Sequence, residues 1–261
     1  MTDTNMIRFS TSGMTEMTYA FLLLACVYFL YKAVTVPSFL VSGLFFGLSQ
    51  LTRQNHFIFL WVFLAYIFLL HGKRGLIYSC AFLSASIITV VPEAVRLYLA
   101  TGSFLCPVYQ NSFFYSASIT PGAWSVEVLR MINPPKFTFL EYALVYPGKL
   151  FKKYFFNLKT FIQTFPFLIS PYKMSFFIAG CLRLERGQRQ FFLKLLIYAL
   201  ILTQTVVLSF YNGWIRYLVP FIPLVLLLAA DFIVYAFKDL LAVGRKAKII
   251  MALLLGILII S

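Results

Sequence analysis

Long apolar runs follow one another along almost the whole chain, and they constrain its fold more than any other feature. A helix that crosses a bilayer needs about 20 mostly apolar residues. Such runs lie near residues 17–34, 37–52, 55–71, 76–96, 163–182, 190–211, 214–237 and 247–261. Only 11% of the 261 residues are charged, against about 25% in soluble domains. The sequence therefore predicts an all-α, polytopic membrane protein with about eight spans, and a single transmembrane domain over residues 1–261.

Basic residues alternate between the connections of these runs, and this pattern predicts which side faces the cytoplasm. The basic connections are Lys32, 71–75, 183–190 and 238–247, and the opposite short connections are 51–55 and 211–216. The pattern places the N-terminus, Arg53, the loop 97–162 and Arg216 on the external or lumenal side. We expect a multi-pass protein of a bacterial inner or plasma membrane, or of the ER membrane.

The net charge of +14 fits this interpretation, because cytoplasmic loops of membrane proteins are basic and anionic lipids attract cations. The sequence has no aromatic-basic strand pattern, so we predict membrane lipids as partners and no nucleic acid. Four cysteines without metal-ligand spacing and eight dispersed carboxylates predict no metal site and no cofactor.

One segment of the external loop, residues 146–165, has a helical pattern. Its apolar side chains are Phe151, Tyr154, Phe155, Leu158 and Phe161, and its polar ones are Lys149, Lys152, Lys153, Asn157 and Thr160. Such a pattern is typical of an interfacial helix on anionic headgroups, although a tilted entry into the fifth run explains it equally well. That run is the weakest, because Pro166, Pro171 and Lys173 interrupt it.

Several ionisable residues are predicted at the external side, where groups at membrane depth are functional candidates. These candidates are Glu16, Arg53, His56, Glu93, Arg96 and Arg216. Arginines that face one external cavity would bind a phosphate through bidentate hydrogen bonds. The alternatives are that Arg53 and Arg216 extend to lipid headgroups, that Glu93 and Arg96 form a local ion pair, and that His56 is a structural hydrogen-bonding residue. Asp231, near the opposite side, is interpreted as structural.

Four stretches together resemble the GT-C type of polytopic glycosyltransferases, which use polyprenyl-phosphate-linked sugars. The resemblance is to the protein-mannosyltransferase and aminoarabinose-transferase-like group. The stretches are MTEMTYAFLLLACVYFLYK (14–32), SGLFFGLSQLTRQN (42–55), PEAVRLYLATGSFLCPVYQNSFFYSASITPGAW (92–124) and WIRYLVPFIPLVLLLAA (214–230). They follow the order of the family across residues 14–235.

The resemblance implies transfer of a sugar from a polyprenyl-phosphate donor to a hydroxyl of a glycan, lipid or protein acceptor at the external face. Glu16 matches an acidic position and is the catalytic candidate. Arg53, Arg96 and Arg216, with His56 and Glu93 beside them, form the candidate site for lipid phosphate and substrate.

Some positions depart from the family pattern. The first external loop of the family, which carries its catalytic carboxylate, has no counterpart here, Glu93 stands where the family often has Trp, and Leu97 replaces an Asn. We therefore expect a fragment, the C-terminal portion of a GT-C-like module, without activity on its own. The alternative functions are a lipid-linked-glycan transporter or flippase and a non-catalytic assembly subunit.

Overall fold

A computed structural model of the chain describes residues 15–53, 57–101, 144–145, 147–182, 187–211 and 215–243. This part of the chain is helical and contains no strand, which confirms the predicted all-α class. The helices are α1 (Thr15–Lys32), α2 (Val36–Thr52), α3 (Phe59–His71), α4 (Gly75–Thr101), α5 (Pro147–Ile169), α6 (Pro171–Leu182), α7 (Gln188–Tyr211) and α8 (Ile222–Val243). Two 3₁₀ turns, Gly72–Arg74 and Ile215–Phe221, precede α4 and α8.

Three helical stretches among the described residues are long and apolar enough to cross a membrane. They are Phe59–Ala100, which contains α3 and α4, Arg189–Val207 in α7, and Leu218–Ala236, which is largely α8. The apolar helix α2 is shorter. These stretches are compatible with a membrane protein, whereas the number of about eight spans stays a prediction. The predicted run at 247–261 lies outside the described residues.

The predicted fifth run, 163–182, does not form one helix. The chain breaks between α5 and α6 at Ser170, whose φ is 76°, a left-handed conformation that is uncommon for residues other than glycine. Proline disfavours the helical conformation of the residue before it, and Pro171 follows directly. The Ser170 carbonyl then accepts the N–H of Met174 at 3.0 Å, which starts α6. Pro166, in contrast, lies inside α5.

The first two helices form an antiparallel pair, and their arrangement defines two ends of the bundle. A short turn at 33–35 joins α1 to α2, and the Arg189 guanidinium at the start of α7 donates to the Ala33 carbonyl at 2.6 Å. Tyr78 of α4 donates to the Val34 carbonyl at 3.5 Å. We call this the Lys32 end, and we call the opposite end, where α1 begins and α2 stops, the Glu16 end.

Helices α2 and α4 pack closely along two glycines. Gly43 lies opposite Phe82, and Gly47 lies opposite Ser86 and Thr89, so the two helices run in the same direction. The Ser86 hydroxyl donates to the Gly43 carbonyl at 3.1 Å. Small residues allow such a close approach of two backbones. Because α2 and α4 are parallel, their C-terminal residues lie at the same Glu16 end.

Aromatic rings fill the core between these helices. Phe46 of α2 contacts the rings of Phe63 and Phe82, with centroids 5.2 and 5.4 Å apart. Near the Glu16 end, Phe221 of the second 3₁₀ turn lies 6.4 Å from the ring of Tyr19 and 5.7 Å from that of Phe59. The turn before α8 is therefore fixed beside the start of α1.

The helix predicted at 146–165 is present as α5, but its predicted division into faces is partly wrong. Asn157, placed on the polar face, is buried and donates to the Ser209 carbonyl of α7 at 3.0 Å. Phe161 is buried as well, whereas Phe151 and Phe155 are exposed. The rotation of α5 about its axis follows from its packing on α7, on the second 3₁₀ turn and on α8. The sequence of α5 alone does not encode these contacts.

Candidate functional site

Two candidate residues from different helices form an ion pair at the Glu16 end. Glu16 lies in the first turn of α1, where a carboxylate interacts favourably with the helix dipole. Arg53 directly follows α2 and its backbone N–H donates to the Ser49 carbonyl at 3.1 Å. The antiparallel packing of α1 and α2 brings an Arg53 Nη2 to 2.6 Å from a Glu16 Oε1. Only 11% of the Arg53 side chain and 4% of the Glu16 side chain are exposed.

Tyr19 connects this ion pair to a cluster of aromatic side chains. Tyr19, one turn after Glu16, is fully buried and interacts electrostatically with Arg53. Its ring borders Phe221, which also borders Phe59. Charges in such an apolar setting interact strongly because little water screens them. The removal of two charges from water is costly, so this arrangement persists only while both partners are present.

The second candidate pair lies within one helix and is largely solvated. Arg96 donates from Nε and Nη2 to the two carboxylate oxygens of Glu93, at 2.7 and 2.6 Å. The side chains of Arg96 and Glu93 are 68% and 36% exposed. This confirms the local ion pair predicted from their spacing of three residues.

The remaining two candidates are His56 and Arg216. His56 lies outside the described residues. Arg216 belongs to the 3₁₀ turn Ile215–Phe221, which lies at the Glu16 end, and its side chain is outside the described part of the structure. Two arginine candidates have described side chains, Arg53 and Arg96. Each of them pairs with a carboxylate, and the two do not form a cluster made of arginines only.

One buried polar residue beside Arg53 was not among the candidates. Gln50 lies one turn before Arg53 on α2 and is only 6% exposed, and its Nε2 has no hydrogen-bond partner. A buried amide without a partner is costly. The signal available in the sequence was a glutamine three residues before an arginine at the end of an apolar run.

A further charged contact lies between α7 and α8, away from the candidate pairs. Lys194 is buried, donates from Nζ to the Gly180 carbonyl at 2.8 Å, and lies 3.7 Å from a carboxylate oxygen of Asp231. This contact joins three helices, which agrees with the structural interpretation of Asp231. The sequence reading overlooked Lys194, although a lysine inside an apolar run was visible there.

Among the residues that the structure describes, no group of three His, Cys, Asp or Glu side chains is placed to hold a metal ion. No family model, no curated protein and no solved structure matches the chain. The function therefore has to be argued from the arrangement of these side chains.

Proposed function

We propose that this chain is a membrane glycosyltransferase, or a portion of one, that takes a sugar from a polyprenyl-phosphate donor. The observation that carries the proposal is the buried Glu16–Arg53 ion pair at the end of α1 and α2. The resemblance in the sequence suggested both residues independently of their distance in space. Their direct contact supports a shared role at one site.

The two partners suit the two halves of a transfer reaction. A carboxylate such as Glu16 can accept the proton of an acceptor hydroxyl as that oxygen attacks the anomeric carbon of the sugar. The bond between this carbon and the phosphate oxygen then breaks, and the lipid phosphate leaves with the electron pair. A guanidinium has five N–H donors, so Arg53 can stabilise the departing phosphate while it orients Glu16.

The other candidates would act at the rim of the same end. Arg96 is held in a fixed orientation by Glu93, and Arg216 belongs to the turn that packs beside Tyr19. In this proposal both arginines bind the lipid phosphate or the sugar, and His56 contributes a hydrogen bond. The site faces the external or lumenal side, and the acceptor is a glycan, a lipid or a protein.

Binding of the donor is the most direct test, because it does not require a complete catalytic apparatus. The detergent-solubilised chain would be titrated with undecaprenyl phosphate and with polyprenyl-phosphate mannose, and retained lipid would be measured by native mass spectrometry. We expect Arg53→Gln to weaken binding of both lipids at least tenfold, whereas Glu16→Gln retains it. Where the chain also transfers radiolabelled sugar, Glu16→Gln should lower the rate by about 10²–10⁴-fold, as expected for loss of a general base.

The matched control is Lys73→Gln, since it removes an exposed charge at the opposite, Lys32 end of the bundle. It should change neither binding nor transfer by more than about threefold, because it lies away from the Glu16–Arg53 pair. Folding of each variant would be verified by circular dichroism. If a folded wild-type chain retains no polyprenyl phosphate, or if Arg53→Gln retains it unchanged, the proposal is wrong.

A further inference from the structure

The outward side of α5 carries a line of large apolar side chains. Phe151, Phe155 and Ile162 are all exposed, and they lie on one side of the helix because they are spaced by four and seven residues. Large exposed apolar surfaces commonly mark an interaction site. This line therefore needs an apolar partner.

Two lysines form a second line beside the first. Lys152 and Lys159 are exposed, and both lie on the same flank of the apolar line, about 60–80° around the helix from its centre. Their spacing of seven residues separates them by about 10 Å along the axis. The exposed surface of α5 thus combines an apolar stripe with an adjacent cationic stripe.

Packing fixes which side of α5 faces outward and where the helix lies along the bundle. The buried Asn157 side chain donates to the Ser209 carbonyl at 3.0 Å, and Leu150 and Phe161 are also buried. Ser209 lies in the last turn of α7. The two exposed lysines consequently flank the level at which α7 ends, and this is the Glu16 end of the bundle.

Lys153 lies next to this surface but contributes less charge to it. Burial lowers the pKa of its amine to about 7, so the amine is only partly charged at neutral pH. Among the lysines of α5 whose side chains the structure describes, Lys152 and Lys159 therefore supply most of the positive charge of the exposed surface.

We propose that this surface of α5 binds anionic phospholipid headgroups at the membrane boundary. The apolar stripe enters the acyl region while Lys152 and Lys159 contact lipid phosphates. An apolar face flanked by lysines is the arrangement by which interfacial helices select anionic membranes. This inference does not depend on the glycosyltransferase proposal, because it concerns the bulk lipid around the protein.

A local fluorescence probe tests this surface in the whole chain. Phe155→Trp would be introduced after Trp61, Trp124 and Trp214 are changed to Phe, and the protein reconstituted into nanodiscs of phosphatidylcholine with a minority of phosphatidylglycerol. Bromine would be placed on the acyl chains of one lipid or the other. Quenching by brominated phosphatidylglycerol is expected to exceed its share of the lipid.

The substitutions Lys152→Gln and Lys159→Gln together should lower this excess by about fivefold or more, since one lysine near an anionic surface contributes about 1 kcal/mol. The control pair Lys73→Gln and Arg74→Gln removes exposed charges at the Lys32 end and should leave the excess unchanged. Quenching in proportion to lipid content, or an excess that survives the Lys152 and Lys159 substitutions, would overturn the proposal. Absence of quenching by either lipid would instead indicate that a soluble partner covers the surface, and would also refute it.

Discussion

The two ion pairs at the Glu16 end have the same shortest N–O distance but very different surroundings. The Glu16–Arg53 pair joins two helices, has a shortest N–O distance of 2.6 Å, and is nearly enclosed. The Glu93–Arg96 pair has the same shortest distance, but it lies within one helix and faces outward. Distance alone therefore does not distinguish them. The difference is burial, which determines what happens when one partner is removed.

Because the Glu16–Arg53 pair is buried, each of its residues needs the other for the stability of the fold. The exposed Glu93–Arg96 pair contributes little to that stability. If Glu16 is absent, the Arg53 guanidinium stays in an apolar setting without compensation, and such a loss costs about 3–5 kcal/mol. If Glu93 is absent, Arg96 remains largely solvated, and the loss of stability is small. A binding site for an anionic ligand needs a cation that is held in place and shielded from water. The Glu16–Arg53 pair meets this requirement, because Arg53 is fixed by Glu16 and is nearly buried.

The largest effect that we predict is a loss of stability in the variant Glu16→Ala. The variant should be about 3–5 kcal/mol less stable than wild type, because Arg53 loses its buried counter-charge. Equilibrium unfolding of the detergent-solubilised protein in SDS, followed by circular dichroism, measures this difference. Glu93→Ala is the matched variant, and a loss of similar size from both would contradict the distinction between the pairs.

Close packing of α2 against α4 should give the next largest effect. A Cβ at Gly47 would lie 2.7 Å from the Thr89 Cβ and 2.9 Å from the Ser86 carbonyl oxygen. Gly47→Ala should therefore destabilise the fold by about 1–3 kcal/mol through overpacking. The same unfolding assay checks this prediction.

Gly148→Ala supplies the control for this prediction, since a Cβ there meets nothing within 4 Å. It should be neutral or slightly stabilising, because alanine favours helix more than glycine does.

The combination of Gly47→Ala with Glu16→Ala tests whether the packing of α2 on α4 supports the Glu16–Arg53 pair. A combined loss smaller than the sum of the two single losses would show that the position of α2 supports the buried pair.

The sequence predicts local features of this molecule much better than features that depend on tertiary packing. Apolar runs predicted where helices lie, and the spacing of three residues predicted the Glu93–Arg96 pair, because both follow from the period of a helix. The contact between Glu16 and Arg53 depends on how α1 turns into α2, and the resemblance named both residues without predicting their contact. The inward side of α5 depends on contacts with other helices, such as that of Asn157 with the Ser209 carbonyl, so the pattern of α5 alone assigned Asn157 to the wrong face.

Removal of both members of the buried pair should cost less than removal of one. Methionine at positions 16 and 53 leaves no unpaired charge and fills part of the volume, and hydrophobic replacements of buried pairs are often neutral or stabilising. We expect the Glu16→Met/Arg53→Met variant to unfold within about 1–2 kcal/mol of wild type. The same variant should lose polyprenyl-phosphate binding. Retained stability with lost binding would separate the functional role of the pair from its structural role.

The smallest effect is predicted for the exposed pair, and its dependence on salt tests why it is small. Glu93→Gln should change the free energy of unfolding at low salt by only a small fraction of the change expected for Glu16→Ala. This difference should shrink further when the ionic strength is raised toward 1 M, where charges are screened over about 3 Å. Parallel unfolding measurements on Glu16→Gln should show a larger difference that salt changes much less, because the surrounding side chains exclude ions. A salt response of equal size in the two variants would mean that the Glu16–Arg53 pair is solvated and that this end of the bundle holds no enclosed site.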